Sequence, residues 1–155
     1  MTSSRRGFTF VEMLIVMIVI GILATLAVMK YIDLRHRALT AQATADLESV
    51  RLAAYSAWYE TGAWPEEEPA GVVPTGLAPY LIKNFSFTKG EYSFDWENLV
   101  PPGGGTSGGM QLGVTVIATN AALQRSLVQT LGDKAPFFVV GGNVTFVIVG
   151  PDGKF

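Results

Sequence analysis

GFTFVEMLIVMIVIGILATLAVM, residues Gly7 to Met29, is the stretch that decides how this chain folds. From Phe8 to Met29 it holds one charge, Glu12, in a span long enough to cross a bilayer. A carboxylate in such a run is costly to place in lipid, and least costly near an end of the span. Its presence implies a use. Just upstream, Met1 to Gly7 form a short leader that carries Arg5 and Arg6 and ends in glycine.

Three readings of the run compete. A buried core helix would be amphipathic or much shorter. A signal peptide has Arg5 and Arg6 as its basic region and Thr25-Leu26-Ala27 as a cleavage site, but Glu12 would break the start of its apolar region, which would also be over-long. A retained membrane helix fits better. Flanking charge does not orient it, because Arg5 and Arg6 on one side face Lys30, Arg35 and Arg37 on the other.

Past Met29 the pattern turns amphipathic without a break. Ile32, Leu39, Ala43, Leu47, Val50, Ala54, Ala57 and Trp58 fall at helical spacings, and Arg35, Arg37, Gln42, Thr44, Asp46, Glu48 and Arg51 take the other face. Asp33 with Arg37, and Glu48 with Arg51, are spaced to support a helix weakly. No Pro or Gly interrupts between Gly21 and Gly62, where Gly62 suits a C-cap and Trp64-Pro65 a stop. One helix over 8–61 would be about 80 Å long. A following domain of modest size cannot cover that length, so the first half must be buried in something else.

The remainder reads as a small sheet domain. Glu66 to Gly76 is loop, and Leu77 to Ile82 is a short helical turn. Asn84 to Trp96 alternates across Lys89-Gly90 as a hairpin. Val100 to Gly109 is a glycine-rich loop, and Met110 to Ala118 a strand. Asn120 suits the N-cap of a helix over Ala121 to Leu131. Phe137 to Val140 and Asn143 to Val149 flank Gly141-Gly142 as a second hairpin, and Pro151-Asp152-Gly153 is a turn. A long helix followed by an antiparallel sheet is an α+β fold.

The chemistry of Glu12 is set by its surroundings. A buried carboxylate needs a cation, and a chain that began at Phe8 would offer one in its own terminal ammonium. Phe8 and Glu12 lie about one turn apart, so pairing within one helix is possible. Pairing with Phe8 of an adjacent copy would neutralise two charges and fix the stagger of neighbouring helices. The plainer alternative is a carboxylate that reaches water at the membrane surface.

Basic leader, Gly7-Phe8 junction, aromatic start and a single acid in an apolar helix resemble the N-terminus of type IV prepilins and type II secretion pseudopilins. The resemblance is specific over Gly7 to Met29. By that resemblance Gly7 precedes the prepilin peptidase cut, Phe8 becomes the N-methylated terminus, Glu12 is the acid used in assembly and register, and Gly21 is a point of helix flexibility. It implies a leader over 1–7, a transmembrane or filament-core half of the helix over 8–29, an amphipathic half over 30–62 and a globular antiparallel-sheet domain over 63–155. Met29 stands where many members have proline. No cysteine pair closes the last hairpin, so packing of Phe137, Val139, Val144, Phe146 and Ile148 must hold it.

The implied function is a structural subunit, pilin or pseudopilin, that polymerises into a type IV pilus-like filament. Its implied partners are further copies of itself, minor pilins, prepilin peptidase, an inner-membrane assembly platform and, before assembly, the membrane. The implied location is the bacterial inner membrane, then an extracellular or periplasmic filament. The alternatives are a pseudopilin of a type II secretion pseudopilus and, in another class, a membrane-anchored or secreted binding domain.

Nothing in the sequence calls for a cofactor, a metal or an enzyme. Net charge is −2, and more negative once Arg5 and Arg6 leave, which lacks the clustered basic residues of a nucleic-acid footprint. The absence of cysteine excludes disulfides, thiolate metal sites and a cysteine nucleophile. His36 is a lone solvated histidine. Glu66-Glu67-Glu68 is a soluble loop, and Glu91, Asp95 and Glu97 are a charged solvent face rather than calcium ligands. Gly103-Gly104-Gly105 lacks the lysine of a phosphate loop, and Asn143-Val144-Thr145 is a weak glycosylation match inside a strand. Trp58, Trp64 and Trp96 read as packing aromatics.

Overall fold

The computed structural model describes residues 7–99, 111–132, 136–140 and 143–150. Among them the chain runs α1 (Phe10–Thr61), a 3-10 turn (Ala78–Tyr80), β1 (Tyr92–Leu99), β2 (Gln111–Ala118), α2 (Ala121–Leu131), β3 (Phe137–Val140) and β4 (Asn143–Val149). The four strands form one antiparallel sheet in the order β1-β2-β4-β3. The fold is thus α+β, a long N-terminal helix with a four-stranded antiparallel sheet, as the sequence implies.

α1 is shared between two compact units, one ending at Arg35 and the other beginning at His36. In the first, every residue from Gly7 to Arg35 is exposed. By length and composition α1 contains a stretch able to cross a membrane. Large apolar side chains lie bare along it, Phe10 at 82 % and Met17 at 73 % exposed among them. Such a surface is far larger than a soluble monomer keeps free.

In the second unit, Thr40, Ala43, Leu47, Val50, Ala53, Ala54 and Ala57 of α1 are buried. Ala43, Leu47, Val50, Ala53 and Ala54 share one core with Tyr92, Phe94 and Trp96 of β1, Leu112, Val114 and Val116 of β2, and Val144, Phe146 and Ile148 of β4. Strand alternation puts every second residue on that face. Leu123, Leu127 and Leu131 of α2 complete the cluster. The Thr40 hydroxyl donates to Oγ of Ser126 at 3.0 Å, tying α1 to α2. The Tyr55 hydroxyl donates to the Ile148 carbonyl at 3.2 Å, tying α1 to β4. Tyr92 donates to Asp46 at 2.8 Å, and Lys89 approaches the same carboxylate at 3.4 Å.

Local chemistry explains the boundaries. Gly62 has φ of 72°, the left-handed conformation that glycine adopts freely, and ends α1 where expected. The Asn120 side chain accepts from the Leu123 backbone N–H at 2.8 Å, the N-cap read from the sequence. Gly113 sits at a register shift between β2 and β4, where an added Cβ would meet Thr145 Cγ2 at 2.8 Å.

Four expectations need correction. Ile32 is 47 % exposed, because it falls in the unit where nothing packs on α1, and Trp58 is 39 % exposed, stacked on Trp64 at 5.5 Å. Only the second arm of the Asn84–Trp96 hairpin is a strand. Asn84 has φ of 66°, which breaks the extended backbone, and the first arm contributes an isolated bridge, Thr88 to Ser93. Val139 is 54 % exposed instead of holding the last hairpin, because α2 leaves beside it a groove of about 370 Å³ lined by Gln124, Arg125, Val128 and Gln129. The leader up to residue 6, the loop at 100–109, Gly141-Gly142 and the turn at 151–153 lie outside the described residues.

The two sheet edges differ. Along β1, the Gly71 N–H donates to the Phe94 carbonyl at 2.8 Å, the Phe94 N–H to Phe87 at 2.9 Å, and the Asn98 N–H to Glu67 at 3.3 Å, so loop segments close that edge. β3 forms the opposite edge with Phe137-Phe138-Val139-Val140, which carries no charge.

Candidate functional site

The sequence places its functional residues at the start of α1, and the backbone there is built by side-chain chemistry. A helix leaves its first four N–H groups without partners. Thr9 lies immediately before α1, and its carbonyl accepts the Met13 N–H at 3.2 Å as the first helical bond. The Thr9 hydroxyl oxygen accepts the Glu12 N–H at 3.2 Å. Reciprocally, Glu12 Oε2 accepts the Thr9 N–H and the Thr9 hydroxyl, each at 2.8 Å. This is a capping box, a Ser/Thr at the N-cap answered by a Glu three residues on. The Glu12 charge also lies at the positive end of the helix dipole.

The signal for it is Thr9-Phe10-Val11-Glu12, a hydroxyl and an acid at capping-box spacing before an apolar run. Reading Glu12 only as a charge misses Thr9. Both are exposed, so in this chain the carboxylate is anchored by its own helix. Both bonds from Thr9 fall on the same carboxylate oxygen, Oε2.

Phe8 is 69 % exposed, one residue outside the cap, and Gly7 precedes it in irregular backbone. Gly21 lies within unbroken helix with nothing near the place a Cβ would take. Its carbonyl is the acceptor of the Thr25 hydroxyl at 2.9 Å. Such a bond from a residue four positions on bends helices slightly and leaves the hydroxyl satisfied in an apolar setting. The structure thus gathers Phe8, Thr9 and Glu12 at one helix end and leaves Gly21 more than two turns away along the same helix.

The other candidates form no metal centre. Among the described residues no group of three or more His, Asp or Glu could hold a metal ion. Asp95 has its carboxyl pushed above the usual range, first by burial and then by the nearby charges of Glu97 and Glu67. Glu97 accepts from the Thr115 hydroxyl at 3.3 Å, and Thr115 and Thr145 hydroxyls meet at 2.7 Å across the sheet. Thr145 of the glycosylation match is therefore buried within β4. Tyr92 is pushed well above its ordinary range, first by burial and then by the Asp46 carboxylate it donates to.

Comparison with known proteins matches residues 2–28 to the prokaryotic N-terminal methylation motif. The chain is 38 % identical over 72 residues to a type IV major pilin protein of Neisseria gonorrhoeae, covering 46 % of this chain and 34 % of that one. It is 37 % identical over 58 residues to a fimbrial protein of Pseudomonas aeruginosa, covering 37 % of this chain and 38 % of that one. The chain thus spans little more than a third of the length of these curated relatives. The solved structure of the major type IV pilin of Clostridium difficile overlays with a TM-score of 0.47 at 15 % identity, covering 73 % of this chain and 96 % of that one.

Proposed function

We propose, from a methylation motif and pilin relatives that support the type IV pilin family for this chain, that it is a type IV pilin-like structural subunit whose N-terminal helix anchors it in the membrane and then builds the core of a filament. The observation that carries the proposal is the N-terminal segment itself, in which a capped helix start precedes a fully exposed apolar run that matches the motif. A surface of that kind is stable only in lipid or against other helices.

In this reading prepilin peptidase cuts after Gly7, and the new Phe8 amine is N-methylated. The capping box then divides the two carboxylate oxygens between partners. Thr9 keeps Glu12 Oε2, and the other oxygen, Oε1, takes the Phe8 ammonium of a neighbouring copy. Taking a carboxylate out of water demands that its lone pairs be met, and this division meets them from two sources. The assembly platform, the peptidase and the filament itself are the partners. Before assembly the subunit resides in the inner membrane.

Mass spectrometry of the N-terminal peptide from membrane-fractionated protein tests the processing step. A peptide beginning at Phe8, about 14 Da heavier for one methyl group, is expected. An intact Met1, or a start near Val28, would move the function to an anchored or secreted domain. For the pairing step, Glu12→Val is expected to leave cleavage and membrane insertion intact and to abolish sheared filaments. Normal filament yield from that variant removes the role of Glu12.

A further inference from the structure

The sheet has a second face, which strand alternation turns away from the core. Register puts Asp95, Thr115, Thr145 and Phe138 in one row across it, from β1 to β3. In the two middle strands the row is small and closed in, with Thr115 5 % and Thr145 4 % exposed. Glu97 and Leu99 of β1 flank them on one side and Phe138 of β3 on the other, each half-buried. With Asn143 these residues line a cavity of about 280 Å³.

A count of protons says what the cavity can bind. Thr115 Oγ1 donates to Glu97 Oε1 at 3.3 Å, and a hydroxyl has one proton to give. At the 2.7 Å contact between Thr115 and Thr145 the proton must then come from Thr145. Both hydroxyl protons are thus spent in a relay that ends on the carboxylate, and Thr145 keeps its lone pairs. Among the described residues that line the cavity Glu97 alone carries a charge. Asp95, in the same row, feels that charge: its carboxyl is pushed above the usual range, first by burial and then by Glu97 and Glu67.

An acceptor-lined, negative cavity selects a donor with positive charge. A neutral polyol would need donors as well as acceptors from the walls. A divalent metal ion would need more than one carboxylate, and among the described residues no group of three His, Asp or Glu meets. An ammonium is of the order of a water, about 30 Å³, so the cavity also has room for a stem of several carbons. Leu99 offers such a stem an apolar wall, and Phe138 a ring of the kind that attracts a cation. We propose that this cavity binds a primary alkylammonium group, its three N–H donors shared among Glu97, Thr145 and the Asn143 carbonyl oxygen and its stem laid along Leu99 and Phe138. A free aliphatic diamine and a lysine side chain of a partner share that chemistry. The site stands apart from the filament reading.

Calorimetric titration of the full-length, detergent-solubilised chain with cadaverine is expected to saturate at one per chain. Pentanediol, the same stem without charge, is expected to bind at least about tenfold more weakly. Glu97→Gln is expected to lose at least about tenfold in cadaverine affinity, and Glu48→Gln, an exposed acid on α1, to lose nothing. No saturable binding of cadaverine, pentanediol binding as tightly, or equal losses in the two variants overturns the site. The pentanediol comparison uses the unsubstituted chain, so it decides the matter even where Glu97→Gln fails to fold. N-acetyl-lysine amide then separates the sources. Affinity equal to that of cadaverine assigns a lysine side chain of a partner, and failure to bind where cadaverine does assigns a free diamine.

Discussion

Thr9 and Asp95 show how far a single side chain's surroundings govern its role. Thr9 was legible only in combination with Glu12, because a capping box is a relation between two residues and neither alone announces it. Asp95 was legible as a charge on a strand, but its environment was not, since Glu67 reaches it from a loop far away in sequence. Burial and those two acids raise its folded pKa, so the folded state holds the Asp95 proton more tightly than the unfolded chain does. Its contribution to stability is full below the ordinary aspartate range, near pH 4, and is lost as pH rises through the raised value. At neutral pH the charge therefore works against folding. Asp95→Asn is expected to raise the thermal midpoint of detergent-solubilised protein at pH 7, with the gain vanishing on acidification below the ordinary range. A pH-independent gain, or a loss, in melts followed by near-UV circular dichroism would show that repulsion among these acids is not what sets the group's behaviour.

At the level of the elements, local signals decided most boundaries. α1 ends at Gly62, α2 starts from Asn120, and β3 and β4 occupy their expected residues, each for a reason contained within a few positions. The failures were tertiary or conformational. The alternation from Asn84 onward fits a strand, but the positive φ of Asn84 and the turn bond from the Phe85 N–H to the Ile82 carbonyl at 3.0 Å fold that arm differently. Gly113 is a related case. Its sequence context suggests only a weak point in a strand, whereas the fold brings Thr145 Cγ2 and the Phe146 carbonyl to the place of its missing Cβ. Gly113→Ala must push β4 away or shift the bulge, and a loss of about 1–3 kcal/mol is expected from overpacking. Denaturant unfolding of the solubilised protein measures it. A loss no larger than that of an exposed surface substitution would mean the neighbouring strand yields freely.

For the whole molecule, the contrast between a stretch of α1 that is apolar all round and one that is apolar on one face was plain from composition and period, because lipid and a protein core ask different patterns of a helix. What the period could not show was which apolar residues the sheet would leave bare. Val139 alternates like its neighbours, yet β3 is an edge and α2 does not reach over it. The contrast between the two edges therefore bears on how the protein behaves in a tube. With β1 closed by its own loops, the uncharged edge of β3 offers the one strand among the described residues onto which a stray chain can add, a template for sticking rather than for ordered assembly. Val139→Lys, at a site already exposed, is expected to lower light scattering of concentrated detergent-solubilised protein while leaving its melting unchanged. Unaltered scattering would place the stickiness elsewhere. Four uncharged residues of one edge strand then add a second route to clumping beside the bare apolar helix.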